Sequence, residues 1–307
     1  MLNILGKRYI FFAISLLIII PGMILTLMGL PLAIDFTGGT LLEAQFESGK
    51  APLPGEIITL LQENNIEDVQ VQPVGEDIVN IRAAFMDEAT RSTIVSTLEQ
   101  HFNDQVSVLR FESVGPTIGR EVASRAALAV AVAALVVVVY VTYAFRGIPH
   151  AFRYGVCAII AMIHDVAIVV SLAAIGGRLF GWQVDALFLT ALLTVIGFSV
   201  QDKIVVFDRI RENSNIYRRL PFETLVNHSI VQTLQRSINT QLMTVEFMLL
   251  ALALFGGITL REFAVILLVG LFSGTYSSIF IAAPILVLWE NREWRYWFGR
   301  GKKEATV

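Results

Sequence analysis

The sequence predicts an α-helical integral membrane protein: six transmembrane helices, with a small extracytoplasmic α+β domain between helices 1 and 2. Three observations carry this expectation. The 307 residues are 55% hydrophobic and only 16% charged, whereas soluble domains carry about 25% charged residues; the mean hydropathy is +0.67. Six segments reach the roughly 20 apolar residues needed to cross a bilayer. About ninety residues separate the first two of these, too many for a loop and enough for a domain.

The six segments are Tyr9–Leu30, Ala126–Ala144, Tyr154–Ala174, Leu187–Phe207, Ile230–Phe255 and Phe263–Trp289. The first follows Lys7 and Arg8. Its apolar run is too long for a signal-peptide core and no small-x-small cleavage site follows, so it reads as a retained anchor. Arg146, Arg153, Arg209, Arg211, Arg218, Arg219 and the Arg292–Lys303 tail share one side with Lys7 and Arg8, while the opposite short loops offer Arg178 and Arg261. The positive-inside rule then places both termini in the cytoplasm. Trp182, Trp289, Trp294 and Trp297 stand near segment ends, as interfacial aromatics do.

The intervening segment has its own pattern. Thr40–Phe46 alternates as a strand, and Pro54–Asn65 has helical spacing with proline in its first turn. Val69–Val74 and Ile78–Ala84 read as strands around a turn at Gly75–Asp77. Asp87–Phe102 is helical with acids in its first turn, and Val106–Val114 is a last strand. The order β-α-β-β-α-β is that of a ferredoxin-like split βαβ unit. Four parts follow: residues 1–33, a cytoplasmic start and first span; 34–124, the extracytoplasmic domain; 125–290, the remaining spans; and 291–307, a basic cytoplasmic tail. Between Asp35 and Glu121 acids outnumber bases three to one, which a solvated face explains. Gly38, Gly39, Gly115, Pro116 and Gly119 flank the domain, where they serve equally as hinges or tight turns.

The chemistry lies inside the spans. Asp165 beside His164 falls about ten residues into the third span, about 15 Å deep. Asp202 stands near the end of the fourth, roughly 8 Å from the cytoplasmic face, and Arg236 on the fifth falls at similar depth. An ionisable group at membrane depth costs roughly 2.5–3.5 kcal/mol or more and marks ion paths, proton relays or substrate sites. Desolvation and a nearby guanidinium push a carboxylate in opposite directions. An Asp202–Arg236 pair is therefore a switchable proton carrier or a static tether between helices; the residues alone leave both open. Glu246, near mid-membrane, extends the set. Lys203 and Asp208 are expected at the cytoplasmic interface, by snorkelling or by lying beyond the core.

Other classes recede. The net charge of −3 argues against nucleic-acid binding. The one cysteine, Cys157, excludes an intrachain disulfide. The sequence has no phosphate-binding glycine loop for ATP and no His-Glu-x-x-His metal motif. No enzymatic activity, cofactor or metal is expected.

Several motifs together resemble the SecF family of protein-export membrane proteins. They are Ile34-Asp35-Phe36-Thr37-Gly38-Gly39-Thr40, Val114-Gly115-Pro116-Thr117-Ile118-Gly119 and Met162-Ile163-His164-Asp165. Gly197-Phe198-Ser199-Val200-Gln201-Asp202 runs on through Val205-Val206-Phe207-Asp208-Arg209-Ile210-Arg211-Glu212-Asn213, followed by Gln235-Arg236-Ser237-Ile238-Asn239-Thr240 and Phe255-Gly256-Gly257. The resemblance covers nearly the whole chain in order, and the Val205–Asn213 phrase is its most specific part.

The resemblance implies a subunit of the RND superfamily in the bacterial cytoplasmic membrane. It would work with SecD and the SecYEG channel, with YajC and YidC as further partners, on unfolded exported polypeptides. It implies that the proton-motive force drives export or release on the outer face. Carried over residue by residue, the relay falls on Asp202, Arg236, Asp165 and His164, with Glu246 as this chain's addition. Sodium is the alternative coupling ion, since the oxygens of Asp202, Ser199 and Gln201 suit either. The chain departs from the family pattern at Gln201, Lys203, Gln241, Met243 and Glu246. A structural adaptor without ion transport and an RND-type exporter of small molecules are the alternatives.

Overall fold

The computed structural model describes residues 3–146, 151–241 and 247–293. Five helices among them are long and apolar enough to cross a membrane: Leu5–Leu27, Pro116–Ala144, Phe152–Phe180, Ala186–Ile216 and Leu260–Glu290. The described residues form two compact units, residues 32–128 in one and the chain on either side in the other.

The chain opens with α1 (Arg8–Leu27), which carries Pro21 within its apolar run; membrane helices tolerate such a proline because neighbouring groups re-satisfy the freed carbonyl. The second unit begins with the short α2 (Ile34–Thr37), with Asp35 in its first turn. It continues through β1 (Gly39–Phe46), α3 (Pro54–Glu63), β2 (Gln70–Val74), β3 (Ile78–Ala83), α4 (Glu88–Phe102) and β4 (Val106–Val114). The expected β-α-β-β-α-β order is present, within a residue or two at each end. The four strands pair antiparallel in the order β2-β3-β1-β4. That arrangement is the split βαβ sheet.

Alternation explains which face is covered. On β1, Leu42, Ala44 and Phe46 are buried while Leu41, Glu43 and Gln45 are half-buried. Leu42, Phe46, Val79 and Ile81 pack against Ile57 and Leu61 of α3 and Ile94 and Leu98 of α4. Asp87 caps α4, its carboxylate accepting from Thr90 N at 2.9 Å. Those Thr90 hydrogen bonds hold the Asp87 carboxyl below its ordinary pKa.

The glycines flanking this unit meet one another. Gly38 and Gly39 have φ of 76° and 119°. A Cβ on Gly119 would lie 2.5 Å from Gly38 N, and one on Gly38 would lie 2.6 Å from Pro116 Cα. Chain entering and leaving the unit therefore runs backbone against backbone. Gly115 faces open space.

The first unit adds α5 (Pro116–Ala144, which begins in the second unit), α6 (Ala151–Phe180), α7 (Ala186–Ile216), α8 (Phe222–Gln241), α9 (Phe247–Phe255), α10 (Ile258–Ser277) and α11 (Ala283–Glu290). A π-helical turn, Ser278–Ala282, joins the last two. Large apolar side chains such as Leu17, Leu27, Leu135 and Val139 are exposed on α1 and α5. Lipid would cover such a surface at no hydrophobic cost. The expected fifth span, Ile230–Phe255, falls on the second half of α8, on residues 242–246 outside the described set, and on α9. Its first part differs from a greasy span. α8 begins eight residues before Ile230 and is amphipathic, burying Leu225, Val226, Ser229, Ile230 and Thr233 while Gln235, Arg236 and Asn239 stay exposed.

Candidate functional site

Close helix packing creates the site. A Cβ on Gly270 of α10 would come within 2.2 Å of Val195 Cγ2 on α7, and one on Gly274 within 3.3 Å of Ser199 Cα. Small residues let membrane helices approach this closely. Beside them α10 carries Ser273 and Ser277, and α7 carries Ser199 and Lys203. Each is an i, i+4 pair, so each presents two polar groups to one neighbour.

All four converge on Asp165 of α6, which is 1% exposed. Its Oδ1 accepts from Ser273 Oγ at 2.7 Å and faces His164 Nδ1 at 3.0 Å. Its Oδ2 accepts from Ser199 Oγ at 2.6 Å, Ser277 Oγ at 2.7 Å and Lys203 Nζ at 2.8 Å. Three helices are thus pinned to one carboxylate. On its other side, His164 Nε2 lies 2.9 Å from Ser15 Oγ of α1, and Ser15 Oγ in turn donates to Tyr276 OH at 3.3 Å. The His164 ring also stacks on Tyr276, centroids 6.0 Å apart.

Lys203 corrects the sequence expectation. It does not reach an aqueous interface; it is fully buried and forms an ion pair with Asp165. Helical side chains lean toward the N-terminus of their helix, so Lys203 lies back over the preceding turn, where Nζ donates to Ser199 O at 3.2 Å and to Ser199 Oγ. Asp208, by contrast, is exposed and pairs with Arg211 at 2.6 Å.

Asp202, 7% exposed, lies sixteen residues after Ala186 and fourteen before Ile216, near the middle of α7 rather than near its end. Depth from the sequence assumed that the helix stops at Phe207. The Thr275 and Gln241 side chains face this carboxyl. Its Oδ2 is nevertheless buried without a hydrogen-bond partner, as are Ser237 Oγ, Gln241 Oε1 and Thr275 Oγ1. The expected Asp202–Arg236 ion pair is absent among the described residues: Arg236 is exposed on α8 and acts on Asp202 only as a more distant charge. The amphipathic α8 turns its hydroxyl and amide positions inward and its guanidinium outward. Glu246 lies outside the described residues.

Ser15, Ser273, Tyr276 and Ser277 escaped the sequence reading, and Ser199 entered it only as an oxygen suited to a coupling ion. A signal existed for Ser199, Ser273 and Ser277, since hydroxyls four apart in an apolar helix, or a serine one turn before a lysine, mark a polar face. Nothing local announces Ser15, which the bundle brings 149 positions along the chain to His164.

An apolar helix bundle with buried carboxylates, joined to a split βαβ unit, defines a multi-span membrane protein with charged groups inside its spans. The chain belongs to the protein-export membrane protein SecD/SecF family: the profile of its C-terminal region matches residues 94–292, and that of the SecD/SecF GG motif matches residues 24–50. It is 69% identical, over the whole of both chains, to the protein translocase subunit SecF of Anaerolinea thermophila. It is 46% identical to that of Thermobaculum terrenum, again over both whole chains. Against the protein translocase subunit SecDF of Thermus thermophilus it is 36% identical over 94% of this chain and 39% of that longer one. The crystal structure of SecDF from that genus, described as a translocon-associated membrane protein, superposes with a TM-score of 0.82 at 33% identity, covering 95% of this chain and 39% of that one.

Proposed function

We propose that this chain is the smaller membrane half of a two-part export assembly with SecD. In this reading it uses the proton-motive force to help the Sec channel move polypeptides across the bacterial cytoplasmic membrane and release them outside. It catalyses no covalent reaction. Family membership and the full-length likeness to SecF support the export role. The relative in which this region is 39% of a longer SecDF chain supports SecD as partner. The lysine and arginine asymmetry supports cytoplasmic termini and an outward-facing α+β unit.

The observation that carries proton coupling is Asp202. It is a membrane-buried acid with one oxygen unpartnered, where an unpaired charge is costly and a proton, water or ion relieves the cost. Asp202 takes up and releases the proton, Arg236 biases that step through space, and His164 with Asp165 braces the helices around it. Each charge crossing the membrane brings about 2.3 kcal/mol per 100 mV. The α+β unit moves in response, on its paired glycine connections.

Replacing Asp202 with Asn in vesicles containing SecD and the channel should abolish gradient-stimulated export while the complex still assembles. Undiminished stimulation sinks the reading. Stimulation that follows a sodium gradient instead of a proton gradient would make sodium the coupling ion.

The buried Asp165–Lys203 pair favours a second reading, in which the chain is an adaptor that only holds SecD and the channel together. Normal export after neutralising Asp202 and Arg236 together would select it.

A further inference from the structure

We propose that Lys203 is a built-in counter-ion that keeps Asp165 out of proton exchange, so that two membrane carboxylates do opposite jobs: Asp165 stays charged and Asp202 exchanges. The proposal rests on Asp202 as the exchanging group, but its test reads Asp165 separately.

Hydrogen-bond stoichiometry carries the argument. A carboxylate offers about four lone-pair sites. Asp165 meets five partners, His164 and Ser273 on Oδ1 and Ser199, Ser277 and Lys203 on Oδ2. A proton could land only by displacing one of them. The ammonium is saturated as well. It has three donors, and three acceptors surround it: Asp165 Oδ2, Ser199 O and Ser199 Oγ. The charges of Asp165 and Lys203 cancel, which is what a buried site tolerates.

Geometry then separates the two acids. Lys203 and Asp202 are adjacent on α7, so they point about 100° apart. The ammonium is turned toward α6. The carboxylate is turned toward Gln241 of α8 and Thr275 of α10, with Oδ2 unpartnered. Among the described residues, Asp165 meets His164, itself held by Ser15 and stacked on Tyr276, on one side, and Ser199, Lys203, Ser273 and Ser277 on the other. Among the described residues, Lys203 and Arg236 act on Asp202 as charges. Among the described residues, Lys203 is the one lysine or arginine paired with Asp165, whose other nitrogen partner is the His164 ring. Removing its charge would strand a buried anion, which relieves itself by taking a proton. The residue at position 203 thereby decides how many carboxylates titrate.

The test is infrared difference spectroscopy on the full chain in lipid, following the C=O band of a protonated carboxyl as pH falls. Subtracting the spectrum of Asp165→Asn isolates Asp165, and subtracting that of Asp202→Asn isolates Asp202. The native chain should yield an Asp202 band and no Asp165 band over the same range. Lys203→Met should produce an Asp165 band, lost again when Asp165→Asn is added; Lys203→Arg, which keeps the charge, should not. An Asp165 band in the native chain overturns the proposal. So does its absence from Lys203→Met. If Lys203→Met fails to insert, Lys203→Gln replaces it with the same two outcomes, and the native-chain arm stands regardless. Absence of an Asp202 band would count against the proton-carrier reading alone and leave the Asp165 result intact.

Discussion

Lys203 Nζ on α7 lies 2.8 Å from Asp165 Oδ2 on α6, and both side chains are shut away from solvent. A pair in this position is costly to break from one side only. Asp165→Asn leaves a buried ammonium without its anion, a loss of about 3–5 kcal/mol for such pairs. Denaturant unfolding in detergent should show a drop of that size. Adding Lys203→Met should recover a substantial part of it. A single-mutant loss below about 1 kcal/mol would mean that water reaches the pair.

Two glycines on neighbouring helices should respond oppositely to alanine. Gly270 has no room, since a Cβ there would overlap Val195 Cγ2 at 2.2 Å, whereas Gly197 has nothing within 4 Å in this chain. Gly270→Ala should destabilise by about 1–3 kcal/mol through overpacking. Gly197→Ala should stabilise the isolated chain by roughly 0.5–1 kcal/mol, because a helix interior prefers alanine. The two melting temperatures, measured in one detergent, check the contrast. Similar shifts would refute the α7–α10 approach.

The paired glycines at the edge of the α+β unit make a similar contrast. Gly38 combines φ of 76° with a Cβ position 2.6 Å from Pro116 Cα, whereas Gly115 faces open space. Gly38→Ala carries backbone strain of about 1–3 kcal/mol and should speed proteolysis near residues 37–40 and 115–119. Gly115→Ala should leave the cleavage pattern alone. Equal patterns for both would argue that the two segments separate freely.

Asp87 at the start of α4 provides a pH signature outside the membrane. Its carboxyl is held below its ordinary pKa first by the Thr90 hydroxyl and then by the Thr90 N–H. A depressed folded pKa contributes stability above the unfolded value and loses it as pH falls through the folded one. Protection of the first-turn amides of α4 in hydrogen exchange should therefore weaken on acidification. Asp87→Asn, a cap that does not titrate, should show no such pH dependence. Identical profiles for both chains would remove the cap from the explanation.

The α+β unit was legible because its signals are local. Alternation at Thr40–Phe46 and Ile78–Ala83, the proline opening α3 and the acids opening α4 each act within a few residues. Their consequences, the sheet order and the core, follow from burying one face. The intramembrane acids Asp165 and Asp202 were legible for a different reason, as polar exceptions in apolar runs. Their partners were not. Sequence depth put Arg236 opposite Asp202 and sent Lys203 to an interface. Rotation about α7 and α8 turned Lys203 inward and Arg236 outward. Depth along a helix can be counted from residues, but rotation depends on which neighbour packs on which face.

Composition and periodicity by themselves determined that this is a multi-span membrane protein with an inserted split βαβ domain and charged residues at depth, because the cost of polar atoms in hydrocarbon and the period of each element are properties of short stretches of chain. Only tertiary packing decided which acid is saturated and which is left with a bare oxygen. That outcome required glycines on α10 to admit α7, serines from two helices to reach one carboxylate, and Ser15 to meet His164 across 149 positions. Such contacts are set by the global arrangement of helices, and no local stretch encodes them.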